Sequence, residues 1–220
     1  MKDLHARLEA DAETLGIQLS SAEADHVVAF TALLHRWNGA IRLTGPSDAV
    51  TLLREQVIEA LLYRPLITRS EAWWDIGSGG GLPALVLAGL EPAITFHLVE
   101  PISKKVAFLK QAAITLGLTG RVLVTAGRLA DDGAPPADAK HRDGPPRAAM
   151  SRATFAPADW FARAAPLVGP DGLVIVTSAG PLDAPFASAA EADGRLEARV
   201  ATLPATGAPR HLALIRVPAA

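Results

Sequence analysis

The chain has 220 residues, half of them hydrophobic and 20% charged, which bounds it to about one or two packed globular domains. Its 21 Lys and Arg against 23 Asp and Glu give a net charge of -2, which excludes a uniformly basic nucleic-acid wrapper and leaves room only for a local basic patch. It has no cysteine, so a disulfide framework, Cys-ligated zinc, an iron–sulfur cluster and a cysteine nucleophile are excluded. The opening Met1–His5 carries an early acid and no apolar segment of a secretory signal. The apolar run from Leu82 to Leu90 is interrupted by Pro83 and Gly89, and no run reaches the ~18 residues of a membrane span. A cytoplasmic location is the expectation.

The first 70 residues read as helical. Leu4, Leu8, Ala12 and Leu15 recur at helical spacing, with Gly16 as a stop. Ser20 or Ser21 caps a second helix with Ala24, Val27, Val28, Thr31, Leu33 and Leu34 on its apolar side, ending near Trp37-Asn38-Gly39. Gly45-Pro46-Ser47 breaks the chain, and Ser47 or Asp48 caps a third helix through Leu52, Leu53, Val57 and Leu61 toward Tyr63, disturbed at Pro65.

From residue 72 short apolar strands alternate with helical segments, the pattern of right-handed βαβ units and a parallel sheet. The strands expected are 73–76, 94–100, 121–125, 147–151 and 172–177, with helices over 83–90, from a Ser103 cap to Gly117, and over 157–167. Asp131 to Pro146, with four prolines and two glycines, reads as an exposed loop. The final strands, 198–203 and 211–217, have no room for a helix between them and are expected to form an antiparallel hairpin at the sheet edge.

Asp75-Ile76-Gly77-Ser78-Gly79-Gly80-Gly81 lies between the first strand and a helix, where open α/β sheets bind ligands. Glu100 closes the next strand, 21 residues beyond Gly79, a spacing that suits the hydroxyls of a ribose. The dinucleotide fingerprint G-x-G-x-x-G fails, because its third glycine would fall on Leu82. A P-loop fails because no Gly-Lys-Ser/Thr follows. The spacing D-x-G-x-G-x-G, from Asp75 through Gly77, Gly79 and Gly81, resembles motif I of class I S-adenosylmethionine-dependent methyltransferases. There the leading acid holds the methionine end or an ordered water beneath the sulfonium.

Further segments narrow the resemblance: Trp37-Asn38 followed by Ile41-Arg42-Leu43-Thr44; the glycine stretch through Leu82-Pro83; Leu98-Val99-Glu100-Pro101-Ile102-Ser103-Lys104-Lys105-Val106-Ala107-Phe108-Leu109; Ser151-Arg152-Ala153; and Arg210-His211-Leu212. In order and spacing, from about residue 30 onward, the set resembles the RsmG (GidB) family, which methylates guanine N7 in small-subunit (16S) ribosomal RNA. The resemblance implies a Rossmann-like α/β fold with a seven-stranded sheet (71–220) under an N-terminal helical cap (1–70). S-adenosylmethionine would be the cofactor, ribosomal RNA or a ribosomal particle the partner, and the enzyme a monomer without metal. Asp75, Gly77, Gly79, Gly81 and Leu82 would line the cofactor site, Glu100 would hold the ribose, and Leu129 and Ala130 would lie along the adenine. Arg152 would sit near cofactor or RNA, and Arg152 and Asn38 are the candidate catalytic residues. The chain departs from the family pattern at Arg54-Glu55-Gln56-Val57-Ile58-Glu59, where the family usually carries Arg-His-Ile-x-Asp-Ser, at Ala84, and at Thr177-Ser178.

The chemistry agrees with the resemblance. Guanine N7 has an exposed lone pair and needs no deprotonation, so no general base is required, only alignment and exclusion of water. No Asn/Asp-Pro-Pro-aromatic run is present to grip an exocyclic amine. Lys104, Lys105 and Lys110 are candidates for an RNA-facing fringe, and Arg36, Arg42 and Arg54 for a local cluster, although residues 1–70 hold 7 basic and 9 acidic side chains. His26 and His35 read as surface residues, His97 as structural, and none at metal-ligand spacing. A small-molecule methyltransferase and a non-catalytic cofactor-binding protein are the alternatives.

Overall fold

The computed structural model describes residues 2–46, 48–67, 72–139, 144–152, 154–180, 182, 184–202 and 209–219. Helix α1 (Lys2–Thr14) buries Leu4, Leu8 and Ala12. Helix α2 (Ser21–Ile41) begins in a capping box: Ser20 Oγ accepts the Glu23 N–H, and the Glu23 carboxylate accepts the Ser20 N–H at 2.7 Å. Arg7 and Arg54 both meet the buried Asp11, at 2.9 and 3.2 Å, so Arg54 fastens α1 to the rest of the chain.

The third helix differs from expectation. It divides into α3 (Ala49–Leu52), a π-helical turn (Leu53–Val57) and α4 (Ile58–Leu61), then a 3-10 turn at Arg64–Leu66 that holds Pro65. Asp48 caps α3 by accepting the Thr51 N–H at 2.9 Å, while Ser47 lies outside the described residues. An uninterrupted α-helix would turn one side outward each turn. The wider π turn shifts that phase, and every position from Val57 to Tyr63 is buried.

Seven strands follow: β1 (Ala72–Ile76), β2 (Thr95–Glu100), β3 (Val122–Ala126), β4 (Ala148–Met150), β5 (Leu173–Ser178), β6 (Leu196–Thr202) and β7 (Arg210–Arg216). They lie in the order β3-β2-β1-β4-β5-β7-β6. The first five are parallel, and β7 runs antiparallel to both β5 and β6. The terminal hairpin therefore closes inward, with β7 against β5 and β6 at the edge. Leu203, the expected end of the sixth strand, lies outside the described residues. Helices α5 (Ala84–Leu90), α6 (Ser103–Thr115), α7 (Pro157–Val168) and α8 (Ala184–Ala192) connect the strands. The α8 segment was not apparent from the sequence, because its alanine-rich run has no clear apolar period.

Ser103 is the first residue of α6 rather than its cap. The cap position is the extended Ile102, whose apolar side chain has no acceptor to offer, and Glu100 accepts the Ile102 N–H at 2.9 Å.

Successive strand residues face opposite sides of the sheet, and this alternation divides the core in two. Trp73, Phe96, Leu98, Ile175 and Leu214 join one cluster with α1 to α6, and Trp74, Val99, Val174, Val176 and Ile215 join the other with Trp160 and Ala190. The N-terminal helices thus share a continuous apolar core with one face of the sheet. His26, expected at the surface, is half-buried there: its Nε2 donates to the Leu85 carbonyl at 2.8 Å, and burial holds the imidazole below its ordinary pKa. His97 is buried, its ring 5.3 Å from that of Trp74.

The contact between α2 and α5 is close enough to be tested. A Cβ on Gly89 would meet the His26 ring at 2.0 Å, whereas one on Gly39 meets nothing within 4 Å. In urea unfolding, Gly89→Ala is expected to lose about 1–3 kcal/mol by overpacking. Gly39→Ala is expected to gain about 0.5–1 kcal/mol from better helix propensity. Equal effects at the two positions would contradict this packing.

Candidate active site

The β1 and β2 ends bring the two acids of the glycine motif together. Asp75 pairs with Leu98 and Ile76 with Val99, so the chain leaves both strands at the same level. The Gly77 and Ser78 N–H groups then donate to the Val99 carbonyl at 2.9 and 3.2 Å. The Gly79 N–H donates to Glu100 Oε2 at 2.8 Å, and Oε1 takes the Ile102 N–H. Ser151 Oγ, just beyond β4, donates to the Ile76 carbonyl at 2.8 Å. The loop is thus fastened to the strands on both sides of β1.

Two glycines in it are sterically required. At Gly77 (φ +75°) a Cβ would come within 2.6 Å of Thr154 Oγ1. At Gly81 (φ +81°) it would strike Leu85 of α5 at 2.3 Å. Gly81 therefore serves helix packing, while Gly77 lies on a cavity wall.

That cavity has a volume of about 540 Å³, within the ~300–1,000 Å³ range of small-molecule sites. Ile76, Gly77, Val99, Glu100, Pro101, Lys105, Gly127, Arg128, Leu129, Asp131, Thr154, Phe155 and Arg163 line it. Of these, Gly77, Glu100 and Leu129 were named from the sequence as cofactor residues. Asp75 lies beneath the loop, 1% exposed, and neither carboxylate oxygen has a hydrogen-bond partner among the described residues. Burial pushes its carboxyl up to about 7; Ser78 and Arg152 lower it in part, and Glu100 adds to the rise.

Other expected site residues are placed elsewhere. Leu82, 3% exposed, packs in the core rather than on the cavity wall, as the glycine loop turns it inward to α5. Ala130 is exposed and closes a turn, its N–H donating to Ala134 and its carbonyl accepting from Gly133. Asn38 has both ends of its carboxamide engaged: Nδ2 donates to the Pro46 carbonyl at 2.7 Å, and Oδ1 accepts the Leu43 and Thr44 N–H groups at 2.6 and 2.8 Å. Leu43 in turn packs beside Gly80. Asn38 therefore holds the turn that backs the glycine loop, a positioning role. Lys105 reaches the cavity, whereas Lys104 and Lys110 are exposed.

Arg152 belongs to a second hollow of about 480 Å³, with Gln56, Glu59, Phe155, Pro157, Thr177, Ser178, Ala179 and Arg210. Its Nη1 donates to the Gln56 carbonyl at 3.2 Å and lies 3.9 Å from Glu59 Oε2, while Arg210 Nε meets Glu59 Oε1 at 3.1 Å. The Tyr63 and Thr177 hydroxyls share a 2.8 Å hydrogen bond at its edge. Burial raises the Tyr63 phenol above its ordinary pKa.

Phe155 forms a wall of both hollows. Its ring stacks on Trp160 at 5.9 Å, Trp160 Nε1 donates to the Ile175 carbonyl of β5 at 2.8 Å, and Arg163 lies 5.3 Å above the Phe155 ring. Sequence reading missed Phe155 and Arg163, and reached Gln56 and Glu59 only as members of the stretch 54–59 that departs from the family pattern. Only the helical spacing of Trp160 and Arg163 after Phe155 hints at a shared cluster.

A third hollow of about 520 Å³, between α1 and the start of α2, presents His5, Glu9 and Glu13 but no glycine loop or strand end. Among the described residues no group of three His, Asp or Glu could hold a metal ion, and no helix is long and apolar enough to cross a membrane.

Known proteins agree with this architecture. The O-methyltransferase from Bacillus cereus, solved in complex with SAH, superposes with a TM-score of 0.59 over 97% of this chain and 99% of its own, at 17% identity. TomG from Streptomyces achromogenes gives 0.57 over 98% and 99%, also at 17% identity. These likenesses establish the class I methyltransferase fold. The ribosomal RNA small subunit methyltransferase G of Myxococcus xanthus is 32% identical over 213 residues, 94% of each chain. Those of Neisseria gonorrhoeae and Halorhodospira halophila are 35% and 39% identical over 123 and 128 residues. These two matches span 56% and 57% of this chain but only 59% and 60% of the relatives' own lengths. The family model GidB, described as rRNA small subunit methyltransferase G, matches residues 23–200. By that match and the near-complete alignment with the Myxococcus protein, the chain belongs to the GidB family of rRNA small subunit methyltransferases.

Proposed function

We propose that this chain transfers the methyl group of S-adenosylmethionine to N7 of a guanine in 16S ribosomal RNA, acting as a monomer in the cytoplasm. The observation that carries the reading is the pair of adjoining hollows with Phe155 as their common wall. The first fits the cofactor and the second the accepting base. Both are built from one chain, so no partner copy is required.

The residues of the first hollow suit a sulfonium nucleoside. Glu100 lines it, and each carboxylate oxygen accepts one backbone N–H, leaving lone pairs for ribose hydroxyls. Leu129 offers an apolar wall for a purine. Asp75 supplies a buried carboxyl group without a hydrogen-bond partner among the described residues, which a cationic amino acid end or a water held by it would satisfy. When bound, S-adenosylmethionine provides an electrophilic methyl on a positively charged sulfur.

The protein's part is alignment. Guanine N7 attacks through a lone pair it already has, so no side chain needs to remove a proton and no metal is called for. The fixed Phe155–Trp160 stack and the Arg152 and Arg210 guanidinium groups hold the acceptor side. Arg152, placed in this second hollow, acts on the base or its RNA rather than on the cofactor. Residues 1–70 act as a cap that supplies Gln56 and Glu59 to the acceptor hollow and Asn38 to the loop support, with 71–220 as the catalytic unit.

Purified protein incubated with methyl-labelled S-adenosylmethionine and small ribosomal subunits from a strain lacking the enzyme is expected to place the label in 7-methylguanine. Label in another nucleoside, or none with RNA, would overturn the assignment. Glu100→Gln is expected to weaken cofactor binding in isothermal titration by about 10- to 100-fold, as one charged acceptor is lost. Unchanged affinity would remove Glu100 from the site.

Asp75 gives a pH test. The native state retains its proton up to about 7, while the unfolded chain releases it near 3.8, so stability without cofactor falls as pH rises through that interval and levels above it. Asp75→Asn is expected to abolish this fall. In urea unfolding its stability relative to wild type should improve by about 1–4 kcal/mol between about pH 4 and pH 8. A difference independent of pH would show that Asp75 ionises normally in the fold.

A further inference from the structure

We propose that Glu59 reads the accepting base as guanine, its carboxylate taking the N1–H and 2-amino donors of the Watson–Crick edge; this rests on the guanine-N7 reading above.

Glu59 is 5% exposed, yet it is a wall of the hollow that adjoins the cofactor cavity across Phe155. A buried carboxylate needs compensation. Here it comes unevenly. Arg210 Nε meets Oε1 at 3.1 Å, while Arg152 Nη1 stands 3.9 Å from Oε2, beyond hydrogen-bond length, and donates instead to the Gln56 carbonyl. The charge is balanced by the two cations, but the carboxylate keeps acceptor capacity. The π-helical turn at Leu53–Val57 is part of this geometry. It ends two residues before Glu59, and its Gln56 carbonyl is the one that Arg152 engages.

The chemistry of the wall selects among bases. A carboxylate has acceptors only and suits two adjacent donors. Guanine alone among the standard bases sets two neighbouring donors, N1–H and the 2-amino group, on its Watson–Crick edge. Adenine and cytosine place a ring acceptor beside their amino group, and uracil has a single ring N–H between two carbonyls. The guanidinium donors beside Glu59 complement the guanine O6 acceptor. N7 stands on the other side of O6 from N1, so a base held through N1–H and N2 leaves N7 uncovered for methyl transfer. Glu59 thus contributes to specificity through direct contact with the substrate.

The test compares small-subunit RNA assembled with guanosine or with inosine at the accepted position. Inosine retains N7, O6 and N1–H but lacks the 2-amino group. Wild type is expected to favour guanosine by about 10- to 100-fold in kcat/KM, the discrimination of one good bidentate base contact. In Glu59→Gln, folding and cofactor affinity being checked by thermal unfolding and titration, that preference is expected to fall below about threefold. The intrinsic difference in N7 reactivity is common to both enzymes and cancels in the comparison. Equal use of guanosine and inosine by wild type overturns the proposal even if the variant does not fold, and so does an undiminished preference in a folded Glu59→Gln. Absence of methyl transfer to the guanosine RNA by wild type would instead sink the guanine-N7 reading itself, and the Glu59 assignment with it.

Discussion

The Glu100 carboxylate governs the rest of the site. It takes the Gly79 N–H with one oxygen and the Ile102 N–H with the other, tying the glycine loop after β1 to the start of α6. A loop of this composition is free to adopt many conformations on its own. Charge-assisted bonds accepted by a buried carboxylate are stronger than neutral ones, so one side chain orders both connections at the end of the sheet. The same anion faces the cavity. One side chain therefore serves both the loop and the cavity wall, and a substitution at Glu100 alters both at once.

Around that clamp the fold is arranged to hold the loop from several directions. The sheet has apolar clusters on both faces, and the helices of the first 61 residues are continuous with one of them. Through Asn38 and Leu43 the cap presses on Gly80, and through Gln56 and Glu59 it closes the second hollow. Cap and sheet are thus separate in the chain but not in the site. The N-terminal helices back the loop and also supply Gln56 and Glu59 to the wall of the second hollow.

What could be read from the sequence was local. Asp75 to Gly81 encodes its strand-loop-helix transition within seven residues, and Glu100 follows at a spacing set by one βα unit. Strand periodicity likewise needs only a few neighbours. The second hollow is different, because Arg152 and Gln56 are 96 residues apart and meet only in the folded chain. Nothing near Leu82 distinguishes a cavity wall from a core position, and its motif neighbours favoured the wall. Asn38 was placed by resemblance among the catalytic candidates, while its three backbone contacts, all to residues 43–46, give it a conformational task. The phase shift at Leu53–Val57 escaped because apolar spacing there is compatible with an ordinary helix.

That phase shift has a price in regularity. A π turn accommodates one residue more than the α-helix around it, and its backbone hydrogen bonds are less favourable. Winding the same residues, Leu53 to Val57, into an ordinary α-helix would restore the tighter coil and improve local helix geometry. It would also rotate everything beyond it by roughly 100°, one α-helical step. Glu59 would swing off the wall and a neighbour of another chemistry would take its place. At this point in the chain, the conformation that is best for the helix and the one that sets Glu59 in the wall of the second hollow exclude each other.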